Sequence, residues 1–253
     1  MLNELSLFSG LCGWTLGLRL AGVEVRTIGY CEIEPYAQEC IRARIRDRLL
    51  DWAPIITDVR ATDFRPMAGL VDLVTSSTPC QPFSKAGRRL GKEDPRNYFP
   101  DTLRVVREVG PRYVLLENVR GLADGDNPYS AEVIGGLSEA GYDSIWGLHS
   151  ASEVGALHLR ERWFCLAYTH ADSERSVHPE AGLHPAEEPY EPLGDAGAVG
   201  EQVPNSRWLS IGSGPWGVES GLDRISDGVA DRVERITALG NAIVPAVVAR
   251  FLT

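Results

Sequence analysis

The sequence predicts an α/β protein built on a mostly parallel, doubly wound sheet, and two observations carry that prediction. Apolar strand-like runs alternate with helical stretches over the first 168 residues. That order sets parallel strands side by side, with helices on both faces. After a stretch without periodicity an apolar run returns at the C-terminus, as it does when a chain end packs back onto the first unit.

The elements follow in order. "ELSLF" reads as the first strand, a glycine-bearing turn comes next, and "WTLGLRLAG" reads as a helix. "VRTIGYCE" is the second strand, and "PYAQECIRARIRDRLL" is a helix that can start at Pro35, where a proline ring is pre-set for the first helical turn. "DLVTSS" and "YVLLENV" are strand-like, with the helix "DTLRVVREVG" between them, and "RWFCLAY" is a further apolar run. From about 169 to 205 the periodicity disappears under Pro179, Pro185, Pro189, Pro192 and Pro204, which predicts a loop or partly disordered insert. Order returns in "RISDGVADRVERITALGNAIVPAVVARFL", whose last dozen residues are expected to be an apolar helix. The expected organisation is a main unit over 1–168, an irregular segment over 169–225 and a C-terminal return over 226–253.

Composition narrows the class. The chain has 253 residues, 43% hydrophobic and 24% charged, which is ordinary for a water-soluble domain. No apolar stretch approaches membrane-spanning length, and "MLNELSLFSG" lacks a basic region ahead of an apolar core, so a cytoplasmic protein without a membrane partner is expected. The five cysteines, Cys12, Cys31, Cys40, Cys80 and Cys165, are odd in number and contain no C-x-x-C pair. That argues against a disulfide framework or a zinc site and leaves room for one reactive thiol. His170, His178 and His184 fall at irregular spacing in the insert and read as solvated.

The net charge of −10 does not suggest a polyanion partner, but it is unevenly spread. Residues 170–204 carry eight acids against Arg175 alone, a net of −7, so the rest of the chain is near −3. Basic side chains cluster at Arg42 to Arg48 and at Lys85, Arg88, Arg89 and Lys92.

Several strand ends carry chemistry. "SLFSGLCGW" is a strand, a turn and a helix, where Gly10 and Gly13 permit close backbone approach and the helix N-terminus favours an anionic group. A plain tight turn explains it as well. Glu32 ends the second strand, where a carboxylate takes a ribose hydroxyl pair, and Asp58 follows a third. Each acid alone fits a surface or capping role; the strand ends together point to a ligand site. Cys80 lies between two prolines after "LVDLV", and Glu117 follows the neighbouring run at the same sheet edge. A thiol and a carboxyl group there suit attack on an electron-poor centre with nearby protonation. In "LRERW", Arg160 and Arg162 stand two apart and are expected on one face of an extended segment.

Taken together, "FSGLCG", "PCQPFS", "ENV", "RERWF" and "GNAIVP" resemble, in order and approximate spacing, the DNA cytosine-5 methyltransferases. The resemblance covers 5–168 and 230–252. It implies a Rossmann-like S-adenosylmethionine-dependent methyltransferase fold, in which 1–168 is catalytic and 169–225 is a reduced target-recognition segment. It also implies a flipped-out cytosine in double-stranded DNA as substrate, S-adenosyl-L-homocysteine as product, no metal, and a bacterial or phage-encoded monomer with a cognate restriction enzyme or other protein as a possible partner. In that family's terms Cys80 adds to C6, Glu117 serves N3 and the exocyclic amine, Arg162 holds O2 and Arg160 supports the site. Phe8, Ser9, Gly10, Leu11 and Gly13 line the cofactor with Pro79. Glu32 takes its ribose, Ile33 its adenine face and Asp58 with Val59 its adenine edge, while Asn241 and Ala242 close the pocket. Gln81 contacts DNA, as do Ser84, Lys85, Arg88, Arg89 and Arg96 in a mobile lid that runs from Ser84 to Arg96.

The chain departs from that pattern. Cys12 stands where a third glycine is usual, which predicts weakened cofactor binding and an oxidation-sensitive thiol. Ser6 replaces a common aspartate, His158 a glutamine and Ala242 a serine. The short acidic insert opposes a phosphate backbone, so recognition is expected to be minimal: from residues 205–225, where Trp208 and Trp216 pack on DNA or in a core, or from a partner. Two rivals stand beside the enzyme: a catalytically weak or inactive member acting as a DNA- or cofactor-binding regulator, and a cysteine hydrolase, which would need His149 or His158 as base.

Overall fold

The structure, a computed structural model, describes residues 1–79, 96–125, 128–170 and 232–252. Among these residues the strands are β1 (Leu2–Leu7), β2 (Val25–Cys31), β3 (Ile55–Ile56), β4 (Leu73–Ser76), β5 (Tyr113–Val119), β6 (Tyr142–His149) and β7 (Arg162–Thr169). They form a seven-stranded sheet in the order β3-β2-β1-β4-β5-β7-β6. β1 through β5 pair in parallel, while β7 runs antiparallel between β5 and β6. The helices are α1 (Gly13–Leu20), α2 (Pro35–Arg46), α3 (Phe99–Val109), α4 (Tyr129–Glu139), α5 (Arg232–Asn241) and α6 (Pro245–Phe251). This is the doubly wound, mostly parallel sheet expected, with "RWFCLAY" as its antiparallel member.

Strand periodicity builds two cores. Val114 and Leu116 of β5 and Trp163 and Cys165 of β7 face the layer made by Phe99, Val105 and Val109 of α3 and Val133 and Leu137 of α4. Tyr113, Leu115, Phe164 and Leu166, one residue out of phase, face α1 and α6 through Trp14, Leu18, Val247, Val248 and Phe251. Side chains alternate across a strand, so a buried two-faced strand must be apolar at nearly every position, as "YVLLENV" is.

Helix ends follow local chemistry. α2 begins at Pro35 and carries Arg44 and Arg46 in its last turn, where cations complement the helix dipole. α3 ends on Gly110 in a left-handed conformation (φ 59°), its N–H closing on the Val106 carbonyl. The C-terminal run is not one dozen-residue helix. Asn241 ends α5, and Pro245, which has no N–H to continue a hydrogen-bond ladder, starts the seven-residue α6.

α1 and α6 pack closely because α1 presents glycine. A Cβ on Gly13 would lie 2.7 Å from Ile243 Cβ, and one on Gly17 would lie 2.8 Å from the Pro245 carbonyl and against Val248 Cβ. The return of the chain end onto the first helix therefore depends on two missing side chains.

Under α1 lies Glu4, fully buried in β1. Its Oε2 accepts hydrogen bonds from Thr15 (2.8 Å) and Thr27 (2.7 Å), and its Oε1 accepts one from Thr75 (2.7 Å). Burial raises its pKa, against the lowering influence of the three hydroxyls and of Arg19.

Two stability predictions follow from these contacts. Gly17→Ala should cost about 1–3 kcal/mol by overpacking, whereas Gly135→Ala in α4, with nothing near the added carbon, should stabilise by about 0.5–1 kcal/mol. Chemical denaturation of both variants checks the sign. For Glu4 a raised folded-state pKa means stability is fully present below the unfolded value and is lost as pH rises through the folded one. The stability of Glu4→Gln relative to wild type should therefore grow with pH, by at most about 1.4 kcal/mol per unit. Parallel pH–stability curves for the two proteins would show that Glu4 does not titrate this way.

Candidate active site

The candidate site lies at the carboxyl edge of the parallel strands, where open α/β sheets place ligands. After β1 the chain makes a turn with three left-handed residues in five: Phe8 (φ 50°), Gly10 (φ 51°) and Cys12 (φ 59°). The turn is tied to β2 by Ser9 N–H bonding the Cys31 carbonyl (3.0 Å) and held from within by Cys12 N–H bonding the Ser9 carbonyl (2.7 Å). Ser9 Oγ donates to the Ser6 carbonyl (2.9 Å).

Glu32, at the end of β2, ties this turn to the next one. Its Oε2 accepts from Gly10 N–H (2.6 Å) and its Oε1 from Glu34 N–H (2.8 Å). Although Glu32 is buried, each carboxylate oxygen keeps a second lone pair for a ligand hydroxyl. Ile33 beside it is 57% exposed, an apolar surface at the edge of the sheet. Asp58 follows β3, its Oδ1 accepting from Arg60 N–H (2.8 Å). Val59 is buried in the core and its carbonyl accepts from Arg104 (2.6 Å). Phe8 meets Tyr98 edge-on at 5.4 Å, and the Arg60 guanidinium covers the Tyr98 ring at 3.9 Å.

Gly13 makes a close approach to Ile243 of the returning chain. One expectation about this turn needs correction. Cys12 does occupy the left-handed conformation that costs a non-glycine residue roughly 1–2 kcal/mol, yet its thiol is 1% exposed. Burial first, then the charges of Glu4 and Glu32, raises its pKa. A buried, protonated thiol is inert, so it is not oxidation-sensitive.

The second half of the site is built on β5 and β7. Antiparallel pairing sets Glu117 opposite Phe164 and Val119 opposite Arg162. Arg162 Nε stands 3.1 Å from Glu117 Oε1. Glu117 is nevertheless pushed up to about 7, because burial outweighs the lowering effect of Arg162 and then Arg160. Glu117, Arg160, Arg162 and Phe164 meet Ile243, Val244 and Val247 around a small cleft that opens to solvent. The two arginines share the cleft without sharing an extended segment. Arg160 precedes β7 with φ 38°, and its guanidinium donates to the carbonyls of Gly240 (2.8 Å) and Ala242 (2.6 Å). Asn241, between those carbonyls, is exposed.

Asn118 is a residue that sequence reasoning left without a role. Its side-chain amide donates to the Thr78 carbonyl (2.8 Å) and its side-chain oxygen accepts from Val119 N–H (2.9 Å). Thr78 Oγ1 also shares a hydrogen bond with Ser76 Oγ (3.0 Å). The strand end leading to Pro79, next to Cys80, is thus fastened to β5. The available signal was the "N" of "ENV", adjacent to Glu117 and necessarily on the opposite face.

Cys80, Gln81, Ser84, Lys85, Arg88, Arg89, Trp208 and Trp216 lie outside the described residues, while Arg96 is described and exposed. His149, the alternative base, packs edge-on against Phe164 and Phe251 (6.0 and 5.3 Å) with Nδ1 3.4 Å from Glu153. His158 is exposed. Among the described residues no group of three or more His, Cys, Asp or Glu is placed to hold a metal.

Comparison with known proteins agrees with this geometry. The family model for "C-5 cytosine-specific DNA methylase" matches residues 2–203. The chain is 37% identical over 161 residues to Type II methyltransferase M.NgoMIV of Neisseria gonorrhoeae, covering 63% of this chain and 49% of that one. It is 31% identical over 205 residues to Type II methyltransferase M.NaeI of Lentzea aerocolonigenes, covering 80% and 46%. The chain thus spans about half the length of these curated relatives. Among solved structures, S. pombe Dnmt2 methyltransferase superposes with a TM-score of 0.52 at 27% identity, over 66% of this chain and 49% of that one. With the sheet order, the turn after β1 and the Glu117–Arg162 pair already in place, the match settles the assignment: the chain belongs to the C-5 cytosine-specific DNA methylase family.

Proposed function

We propose that this chain methylates C5 of a cytosine flipped out of double-stranded DNA, using S-adenosylmethionine. The observation that carries the proposal is the buried Glu117, paired with Arg162 yet titrating near neutrality. A carboxyl group in that state can hold a proton for a ring nitrogen and accept it back.

The residues at the first turn fit the cofactor. The backbone at Gly10 is open, a Cβ there meeting nothing nearer than the Phe8 carbonyl at 3.9 Å. Glu32 offers free lone pairs for hydroxyls, and Ile33 offers an apolar face. Phe8, Ser9, Gly10 and Leu11 would border the bound molecule, with Asp58, the Val59 backbone, Pro79, Asn241 and Ala242 completing the surround. S-adenosylmethionine supplies an electrophilic methyl group on a sulfonium.

The chain's own residues would prepare the base. C5 is unreachable in the stack, so the cytosine must leave the duplex. The Cys80 thiolate forms a bond to C6 while Glu117 gives its proton to N3, so that the electron pair moves to C5 without leaving charge on the ring. Arg162 would hold O2 and keep Glu117 oriented. Once C5 is methylated its proton is lost to a base, the Cys80–C6 bond breaks to restore the thiolate, and N3 returns its proton to the Glu117 carboxylate. Asn118 would aim the strand end that bears Cys80. The exposed Arg96 and the basic run before it would grip phosphates.

A second reading keeps the fold and adds a partner: the acidic stretch over 170–204, net −7, opposes DNA, so target recognition comes from another chain. Mixed-sequence DNA and tritiated S-adenosylmethionine test both readings. Label should enter cytosine with the wild type and not with Cys80→Ser. A folded wild type that transfers nothing at any sequence, alone or with a cognate partner, would sink the enzyme reading. With Cys80 already ionised, the single-turnover rate should fall about tenfold per pH unit above roughly 7 as Glu117 loses its proton; where the thiol still titrates, the two effects offset. Glu117→Gln should be slower by about 10²–10⁴-fold and lack that alkaline limb.

A further inference from the structure

We infer that Arg160 is a positioning residue, a clamp that holds the returning C-terminal segment against the first turn and so couples the base cleft to the cofactor site. The cofactor half of this statement rests on the function proposed above; the clamp itself does not.

Three observations support it. First, Arg160 adopts φ 38°, a left-handed backbone unusual for a long side chain. Such a conformation persists where surrounding contacts over-determine it. Second, both guanidinium ends are committed to backbone carbonyls, Gly240 at 2.8 Å and Ala242 at 2.6 Å. Gly240 sits in the last turn of α5, where carbonyls lack helical partners and a cation complements the dipole. One arginine thus satisfies the end of α5 and fixes the link between α5 and α6.

Third, that link leads straight to the turn. Ile243 follows Ala242 and lies where a Cβ on Gly13 would be, 2.7 Å from Ile243 Cβ and 3.0 Å from its carbonyl oxygen. Gly13 follows the strained Cys12, and Gly10 of the same turn is bonded to Glu32. Ile243, Val244 and Val247 also line the cleft that holds Glu117. The contacts therefore run from the cleft through Arg160 and Ile243 to Gly13 and the turn.

The two arginines divide the work. Arg162 faces Glu117 at 3.1 Å, whereas Arg160 reaches backbone 80 and 82 residues away. Removing each should therefore damage different steps.

The test uses the full chain with Arg160→Ala, Arg160→Lys and Arg162→Ala. Hydrogen exchange without cofactor reads the clamp. In Arg160→Ala, amides over 242–248 should exchange at least about tenfold faster, while β5 amides keep wild-type protection. Titration calorimetry with S-adenosylmethionine reads the coupling. Arg160→Ala should weaken binding by about 10- to 100-fold, because only part of what the two charge-assisted hydrogen bonds contribute is transmitted to the cofactor site. Arg160→Lys, able to keep one carbonyl, should fall between, and Arg162→Ala should bind within about threefold of wild type. Unchanged exchange in Arg160→Ala overturns the clamp. Faster exchange with wild-type affinity, or equal loss of affinity in Arg162→Ala, overturns the coupling. If Arg160→Ala does not fold, Arg160→Lys decides both by the same measurements. A wild type that does not bind S-adenosylmethionine overturns the proposed function instead, and the exchange data still decide the clamp.

Discussion

Much of this molecule depends on one steric condition: α1 must offer bare backbone to the returning chain end. Gly13 and Gly17 leave the space that Ile243, Val248 and the Pro245 carbonyl occupy. That contact covers the β5–β7 face where Phe164 and Leu166 would otherwise meet water. It also brings Ile243, Val244 and Val247 to the edge of the Glu117 cleft. Residues some 230 positions apart thereby become one wall. Close packing of this kind tolerates few changes, because added volume has no place to go.

Three buried carboxylates at or near this edge show how environment assigns different roles to one functional group. Glu4 is surrounded by threonine hydroxyls, which satisfy it without a facing charge, and burial raises its pKa. Glu32 receives backbone N–H groups from two turns and so serves as a brace that retains lone pairs on its open side. Glu117 faces a guanidinium, yet burial prevails and pushes it up to about 7. Only the last balance suits reversible proton transfer near pH 7.

Legibility in the sequence tracked how local the determinants were. β1, β2, β4, β5 and α1 to α3 announce themselves by apolar period, and Pro35 by its ring. β6 and α4 went unread for identifiable reasons. "YDSIWGLH" belongs to an edge strand whose middle is partly exposed, so it lacks the continuous apolar run of a central strand. α4 contains Gly135 and Gly136, which depress helix propensity; Gly136 is accommodated because it faces Leu103. The site behaved likewise. Glu32, Asp58 and Glu117 were legible as strand ends, whereas Asn118 was hidden because its partner, the Thr78 carbonyl, is forty residues away.

By itself the sequence determined the fold class, the edge at which the chemistry-bearing residues emerge and the family they resemble, since periodicity and short motifs are properties of neighbours. Tertiary structure alone decided which glycine serves packing, which arginine faces Glu117 and which faces backbone, and that the Cys12 thiol is buried and inert. Each of these depends on what another part of the chain places within a few ångströms. Residue type and spacing cannot state that distance; burial and the resulting balance of desolvation against charge exist only once the chain has closed on itself.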